Sequence, residues 1–147
     1  MSGARYFPAN CLVPGRARGA LSVMSEPLSL WGGFGLDSGT VADVNHPQYG
    51  QIISEHILAM PGGRGSSSSS SILLESARLG VHPRAVVLAE PDPILVIGAL
   101  VAEDLYGVTI PVILVPAKVF ANLRSGAQAL VSSGGDETSL SLVADRV

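Results

Sequence analysis

The chain is predicted to fold as one α/β domain, β-rich at both ends around a parallel α/β centre. Three observations carry that expectation. Residues 57–60 (ILAM), 85–89 (AVVLA) and 110–115 (IPVILV) are near-continuous apolar runs of strand length, the mark of strands covered on both faces. Between them lie two stretches of helical length that end on Gly80 and Gly107, each a helix C-cap signal. On either side come short apolar runs punctuated by Gly and Pro, as hairpins are.

In chain order, residues 11–13 and 17–24 read as strands separated by the turn pair Pro14-Gly15. Residues 28–31 and 40–44 flank Gly32-Gly33 and Asp37-Ser38-Gly39 and predict a second pair of strands. A polar loop, NHPQYG at 45–50, leads to the next strand, at 57–60 or, as the other reading, at 52–53. A helix is predicted over 72–79, a strand over 85–89, and a helix over 94–106 opened by Pro91 and Pro93. Pro111 places the start of the strand at 110–115 near an edge or bulge. Residues 127–132 and 139–143 form a hairpin around Ser133-Gly134-Gly135-Asp136. Residues 1–10 are expected as an N-terminal extension and 11–147 as the domain, with no repeat or linker to divide it.

Composition narrows the function. Leucine, valine, isoleucine and phenylalanine make 45 of 147 residues, enough for one sizeable core. Charged residues are 14%, the net charge is −3 and Lys118 is the sole lysine, which argues against nucleic acid as a partner. The single cysteine, Cys11, excludes an internal disulfide and any cluster held by several thiolates of this chain; it is expected as a small buried side chain. Residues 94–115 are the most hydrophobic stretch, but Glu103, Asp104, Gly107 and Pro111 break it, so no membrane span is expected. Residues 1–10 lack the apolar run of a signal peptide, and a cytoplasmic location is expected.

The sequence MPGGRGSSSSSS at 60–71 stands out. Composition alone makes a serine run a flexible linker. Here a buried strand runs straight into it and an apolar helix straight out, so the first serines are expected at a helix N-terminus, where serine is a favoured cap. Gly62, Gly63 and Gly65 give the turn its backbone freedom. Unsatisfied N–H groups, Arg64 and the hydroxyls of Ser66, Ser67 and Ser68 together make an anion cradle for a carboxylate or phosphate. A serine among positive charge has its alkoxide stabilised and suits a general base; a serine that only closes the helix is the other reading.

Three common sites fail here. No lysine follows Gly65, so a Walker-type phosphate loop is absent; the third glycine of a dinucleotide loop is missing; and so is the second glycine of a Gly-x-Ser-x-Gly elbow. His46, His56 and His82 show no metal-ligand spacing.

Pro27-Leu28-Ser29-Leu30-Trp31-Gly32-Gly33, His46-Pro47 with Gly50-Gln51, the segment 60–71, Leu88-Ala89-Glu90-Pro91 and residues 99–106 occur in one order. That order resembles the small, swivelling subunit of the aconitase X family over about residues 11–115, with a weaker fit in the final hairpin. The resemblance implies a swivelling β/β/α domain and a hydro-lyase built from two chains, or two regions of one. It implies a large aconitase X catalytic subunit carrying an iron–sulfur cluster and most of the pocket, in which an iron acts as Lewis acid on the leaving hydroxyl. By position it makes Ser66 the base, with Arg64, Gly65, Ser67 and Ser68 holding the substrate's carboxylate or phosphate. Cis-3-hydroxy-L-proline and mevalonate 5-phosphate are the two implied substrates, and the unbroken serines resemble the hydroxyproline type. Phe34-Gly35-Leu36 departs from the pattern, where an acidic or proline residue is more usual.

Two other classes compete. A phosphohistidine carrier needs a histidine just after the glycine turn, where six serines stand instead. A non-catalytic anion-binding module uses the same cradle without chemistry. Trp31 suits the pocket, the partner surface, the core or loop packing; His46 suits a turn, with substrate contact as the other reading; Glu90 suits the site or the cap of the next helix; Glu103 and Asp104 suit the wet face of theirs.

Overall fold

In a computed structural model, which describes residues 5–64 and 67–143, the chain forms eight strands and four helical segments. The strands are β1 (Arg5–Pro8), β2 (Asn10–Val13), β3 (Gly15–Val23), β4 (Ile57–Met60), β5 (Ala85–Leu88), β6 (Val112–Leu114), β7 (Gln128–Ser133) and β8 (Ser139–Leu142). The helices are α1 (Leu30–Gly33), α2 (Ser68–Leu79), α3 (Pro93–Tyr106) and α4 (Ala117–Phe120). The strand order is β1-β8-β7-β3-β4-β5-β6-β2.

β3 belongs to two sheets at once. Its first part, Gly15 to Ala20, pairs antiparallel with β7, and its end, Leu21 to Val23, pairs parallel with β4. The parallel strands β3, β4, β5 and β6 form a central layer, with antiparallel β2 closing its far edge. Side chains alternate across it as strand geometry requires. Leu58, Met60, Val86 and Leu88 face α2 and α3 with Leu73, Leu95 and Ala99. Ile57, Ala59, Ala85, Val87 and Ile113 face the other sheet with Ala129, Val131 and Leu140. Covered on both faces, β4 and β5 are buried at every residue, which is why they read as unbroken apolar runs. Each of their Val, Leu, Ile and Met side chains contributes about 1.5–3 kcal/mol by leaving water.

The helix ends follow local chemistry. Gly80 and Gly107 take left-handed conformations, φ 75° and φ 66°, and close α2 and α3 as their positions predict. α4 is a four-residue segment that follows Pro116.

Three expectations change. Residues 28–31 and 40–44 do not form strands: Leu28 bridges Gly63, Phe34 bridges Val41 and Thr40 bridges Ile52, each as an isolated pair. Trp31 and Gly32, at φ/ψ −67/113 and 77/−15, form a type II bend inside α1, so the chain turns before a ladder can extend. The alternation still counts, because Leu28, Leu30, Phe34 and Val41 all enter the core. Cys11 is exposed rather than buried, since β2 is an edge strand covered only at Val13. Arg5–Pro8, expected in an extension, is a strand paired with β8.

Candidate functional site

The site lies where the parallel strands end. β4 and β5 are neighbours, paired from Ile57–Ala85 to Met60–Leu88, so the loops that follow them leave the same edge of the sheet. That edge is where open α/β sheets place ligands. The loops are tied together by the Glu90 N–H, which donates to the Pro61 carbonyl at 2.9 Å. Gly63 lets the Glu90–Asp92 segment come close, because a Cβ there would stand 1.6 Å from Asp92 Oδ2, whereas a Cβ on Gly62 would meet Glu90 Oε2 at an ordinary 3.5 Å.

Each loop feeds a helix. α3 opens on Asp92, whose Oδ1 accepts from the N–H groups of Ile94 at 3.0 Å and Leu95 at 3.3 Å, with Pro93 as the first helical residue. Asp92, not Glu90, is therefore the cap, and the Asp-Pro pair was its signal in the sequence. α2 opens on Ser67, which holds helical angles and makes no side-chain cap. The Ser70 hydroxyl donates to the Ser67 carbonyl at 2.7 Å instead. The serines thus start the helix as expected, four residues earlier than 72, while the capping role expected of the first of them is not seen at Ser67.

Between the loops is an open cavity of about 220 Å³, lined by Gly62, Gly63, Arg64, Ser69, Glu90 and Asp92 among others. Arg64 is exposed at its mouth, and Ser67 and Ser68 follow at the start of α2. Gly65 and Ser66 lie outside the described residues. The expectation of purely positive surroundings does not hold, because two carboxylates line the same cavity as Arg64. Arg64 is not ion-paired to either: among the described residues the salt bridge is Arg78–Glu75 on α2. A second cavity of about 300 Å³, near Ala9, Ala89 and Val115, has no titratable side chain in its lining.

Ser69 is the residue that sequence reading missed. It is 5% exposed, and its hydroxyl has no hydrogen-bond partner. Leaving a buried hydroxyl unpaired costs about 1–3 kcal/mol, which a group bound in the cavity would recover. Its signal was positional: Ser69, Leu73, Ser76 and Ala77 are the buried residues of α2, spaced as one helical face.

His46 and His56 are held by hydrogen bonds to neighbouring loops and strands. His46 is 6% exposed; its Nδ1 accepts from the Gln48 N–H at 3.1 Å, so Nε2 donates to the Glu26 carbonyl at 3.2 Å. Ser22 donates its hydroxyl proton to the Ile52 carbonyl, which leaves His56 Nδ1 to donate to Ser22 Oγ at 2.9 Å. Trp31 is 62% exposed, which leaves it to a surface role rather than the core. Glu103 and Asp104 are exposed on α3 as expected.

Residues 6–140 match the model of the aconitase X swivel domain. A cis-3-hydroxy-L-proline dehydratase of Pseudomonas aeruginosa is 44% identical over 112 residues, covering 76% of this chain and 19% of that protein. The chain spans about a fifth of the length of that relative and of a second dehydratase of the same name from Hypocrea jecorina, which is 35% identical. The small subunit of a phosphomevalonate dehydratase from Methanothermobacter thermautotrophicus is 35% identical over 63% of this chain and 78% of its own. The holo-form crystal structure of Thermococcus kodakaraensis aconitase X superposes with a TM-score of 0.83 at 26% identity, over 95% of this chain and 99% of that one.

Proposed function

The chain belongs to the aconitase X swivel-domain family, and from that membership we propose that it is the small subunit of a hydro-lyase whose active site it completes together with a larger catalytic subunit. The observation that carries this reading is the convergence of the α2 and α3 N-termini on one cavity beside Arg64 and the serine run. The reaction is dehydration of cis-3-hydroxy-L-proline, the substrate named in the relative with 44% identity. Mevalonate 5-phosphate is the second reading, favoured by the separate small subunits of similar extent that carry that name.

In this reading Ser66 removes the proton from the carbon beside the departing hydroxyl, and Arg64 with the backbone N–H groups of residues 65–68 holds the acidic group. The described neighbours on either side, Arg64 and Ser67, stand at the cavity mouth and at the opening of α2. A domain that closes over a partner's pocket excludes water from that proton transfer.

An iron–sulfur cluster of this family would supply Lewis-acid chemistry. The donors of this chain do not fit one: Cys11 is its only cysteine, and among the described residues no group of three His, Cys, Asp or Glu side chains can hold a metal. In this reading the larger subunit holds the cluster. No described helix is long and apolar enough to cross a membrane. A cytoplasmic location goes with the proposal, because a lone thiol and an iron–sulfur partner both suit a reducing compartment.

The test is anaerobic reconstitution with the cysteine-bearing large subunit and assay on both substrates. Neither chain alone should turn over. Ser66→Ala should cut kcat by two orders of magnitude or more while the complex still co-purifies. Near-normal turnover would remove the base assignment, and absence of dehydration on either substrate would remove the function.

A further inference from the structure

Arg64 and Glu90 line one cavity with opposite charges and do not pair with each other. Asp92 is spent: one carboxylate oxygen caps α3, and the other is pressed over Gly63. Glu90 makes neither a cap nor an ion pair among the described residues, and its Oε2 stands over the Gly62 turn. Ser69 lines the same cavity, and its hydroxyl is buried and unpartnered. The cavity, about 220 Å³, is smaller than the roughly 300 Å³ at which drug-sized pockets begin. A small ligand with a cation and an anion a few atoms apart satisfies all three side chains together.

We propose that Glu90 and Ser69 are specificity-determining residues that make this cavity a receptor for a zwitterion, with the ammonium at Glu90 and the carboxylate at Arg64 and Ser69. This rests on the dehydratase reading and sharpens it. An amino acid with a secondary or primary ammonium fits the charges, whereas a phosphate monoester brings a double negative charge against two carboxylates. When a carboxylate sits against Ser69, the Ser69 O–H donates to it and the orphaned donor is satisfied.

The test uses the complex with its large subunit and calorimetric binding, which needs no turnover. The probes are L-proline, tetrahydrofuran-2-carboxylate (the same ring with oxygen in place of the ammonium nitrogen) and inorganic phosphate. The wild type should bind L-proline at least tenfold tighter than the oxygen analogue, and phosphate more weakly than L-proline. Glu90→Gln, an isosteric change at an exposed position, should bring the two ring compounds within about twofold of each other. Ser69→Ala should weaken both about fivefold and leave their ratio intact. An unchanged ratio in Glu90→Gln, unchanged affinities in Ser69→Ala, or phosphate binding tighter than L-proline would each overturn the assignment. The two readings separate cleanly. Glu90-dependent preference in a complex that dehydrates neither substrate keeps the zwitterion site and removes the dehydratase, while a Glu90-independent ratio in an active dehydratase does the reverse.

Discussion

The α-carbon of Gly63 lies so close beneath the side chain of Asp92 that a Cβ there would stand 1.6 Å from Oδ2 and 2.7 Å from Cγ. The loop after β4 and the cap of α3 are therefore fitted to each other at one point. Gly63→Ala should force Asp92 out of its cap, displace both loops and destabilise the domain by about 1–3 kcal/mol. Thermal unfolding should show a fall of about 2–4 °C for each kcal/mol. An unchanged midpoint would mean that the two loops separate freely.

Asp92 itself tests cap against charge. Asp92→Ala should cost about 0.5–2 kcal/mol, because Ile94 and Leu95 lose their acceptor. Asp92→Asn keeps an oxygen in the same place and should stay within a few tenths of wild type in urea denaturation. Equal losses in both variants would show that the negative charge, not the cap, matters there.

Gly98 on α3 sets how closely the helices cross, since a Cβ there would meet Ser70 O at 3.0 Å and Ser70 Cα at 3.1 Å. Those are backbone atoms that do not swing aside. Gly98→Ala gains about 1 kcal/mol of helix propensity and should still lose stability overall, by about 1 kcal/mol, as α2 is pushed outward. Because Ser70 belongs to the serine run, the same variant should weaken L-proline binding by the complex. A stabilised variant with unaltered binding would show that the crossing has slack.

Tyr6 on the edge strand β1 donates to Glu137 Oε2 at 3.1 Å. That hydrogen bond, then desolvation and repulsion from the same carboxylate, raise the phenol above its ordinary pKa. Only the protonated phenol can donate, so the contribution is complete below the unfolded value of about 10 and is lost as pH rises through the folded one. Phenolate absorbance, read as the difference between wild type and Tyr6→Phe, should titrate lower in Glu137→Gln. An unmoved titration would remove Glu137 as the cause.

Much of this architecture was legible in the sequence because it rests on local signals. The unbroken runs ILAM and AVVLA are the doubly covered strands β4 and β5, and Gly80 and Gly107 end their helices in left-handed conformations. Pairing across the molecule was not legible. Residues 11–13 and 17–24 read as neighbours across Pro14-Gly15, yet β2 pairs with β6 and β3 with β7 and β4. Cys11 was misjudged for the same reason, because exposure on an edge strand depends on which partner covers it. At the site, Arg64 and the serines were found by residue type, while Ser69 is distinguished from five identical neighbours only by lying four residues before buried Leu73. The charge balance was missed because Glu90 and Asp92 reach Arg64 through β4–β5 pairing, which no spacing along the chain reveals.

β1 and β2 stand at opposite ends of the strand order, yet a single residue, Ala9, joins them. With β3 shared between the sheets as well, the two layers are stitched along two seams, like a folded sleeve rather than a stack of cards. Such a sleeve cannot shear between its layers without tearing one seam. Any turning of this domain against a partner must therefore carry the Gly62–Arg64 loop, Ser69 and Glu90 round together as a rigid cartridge, delivering the whole cavity in one register.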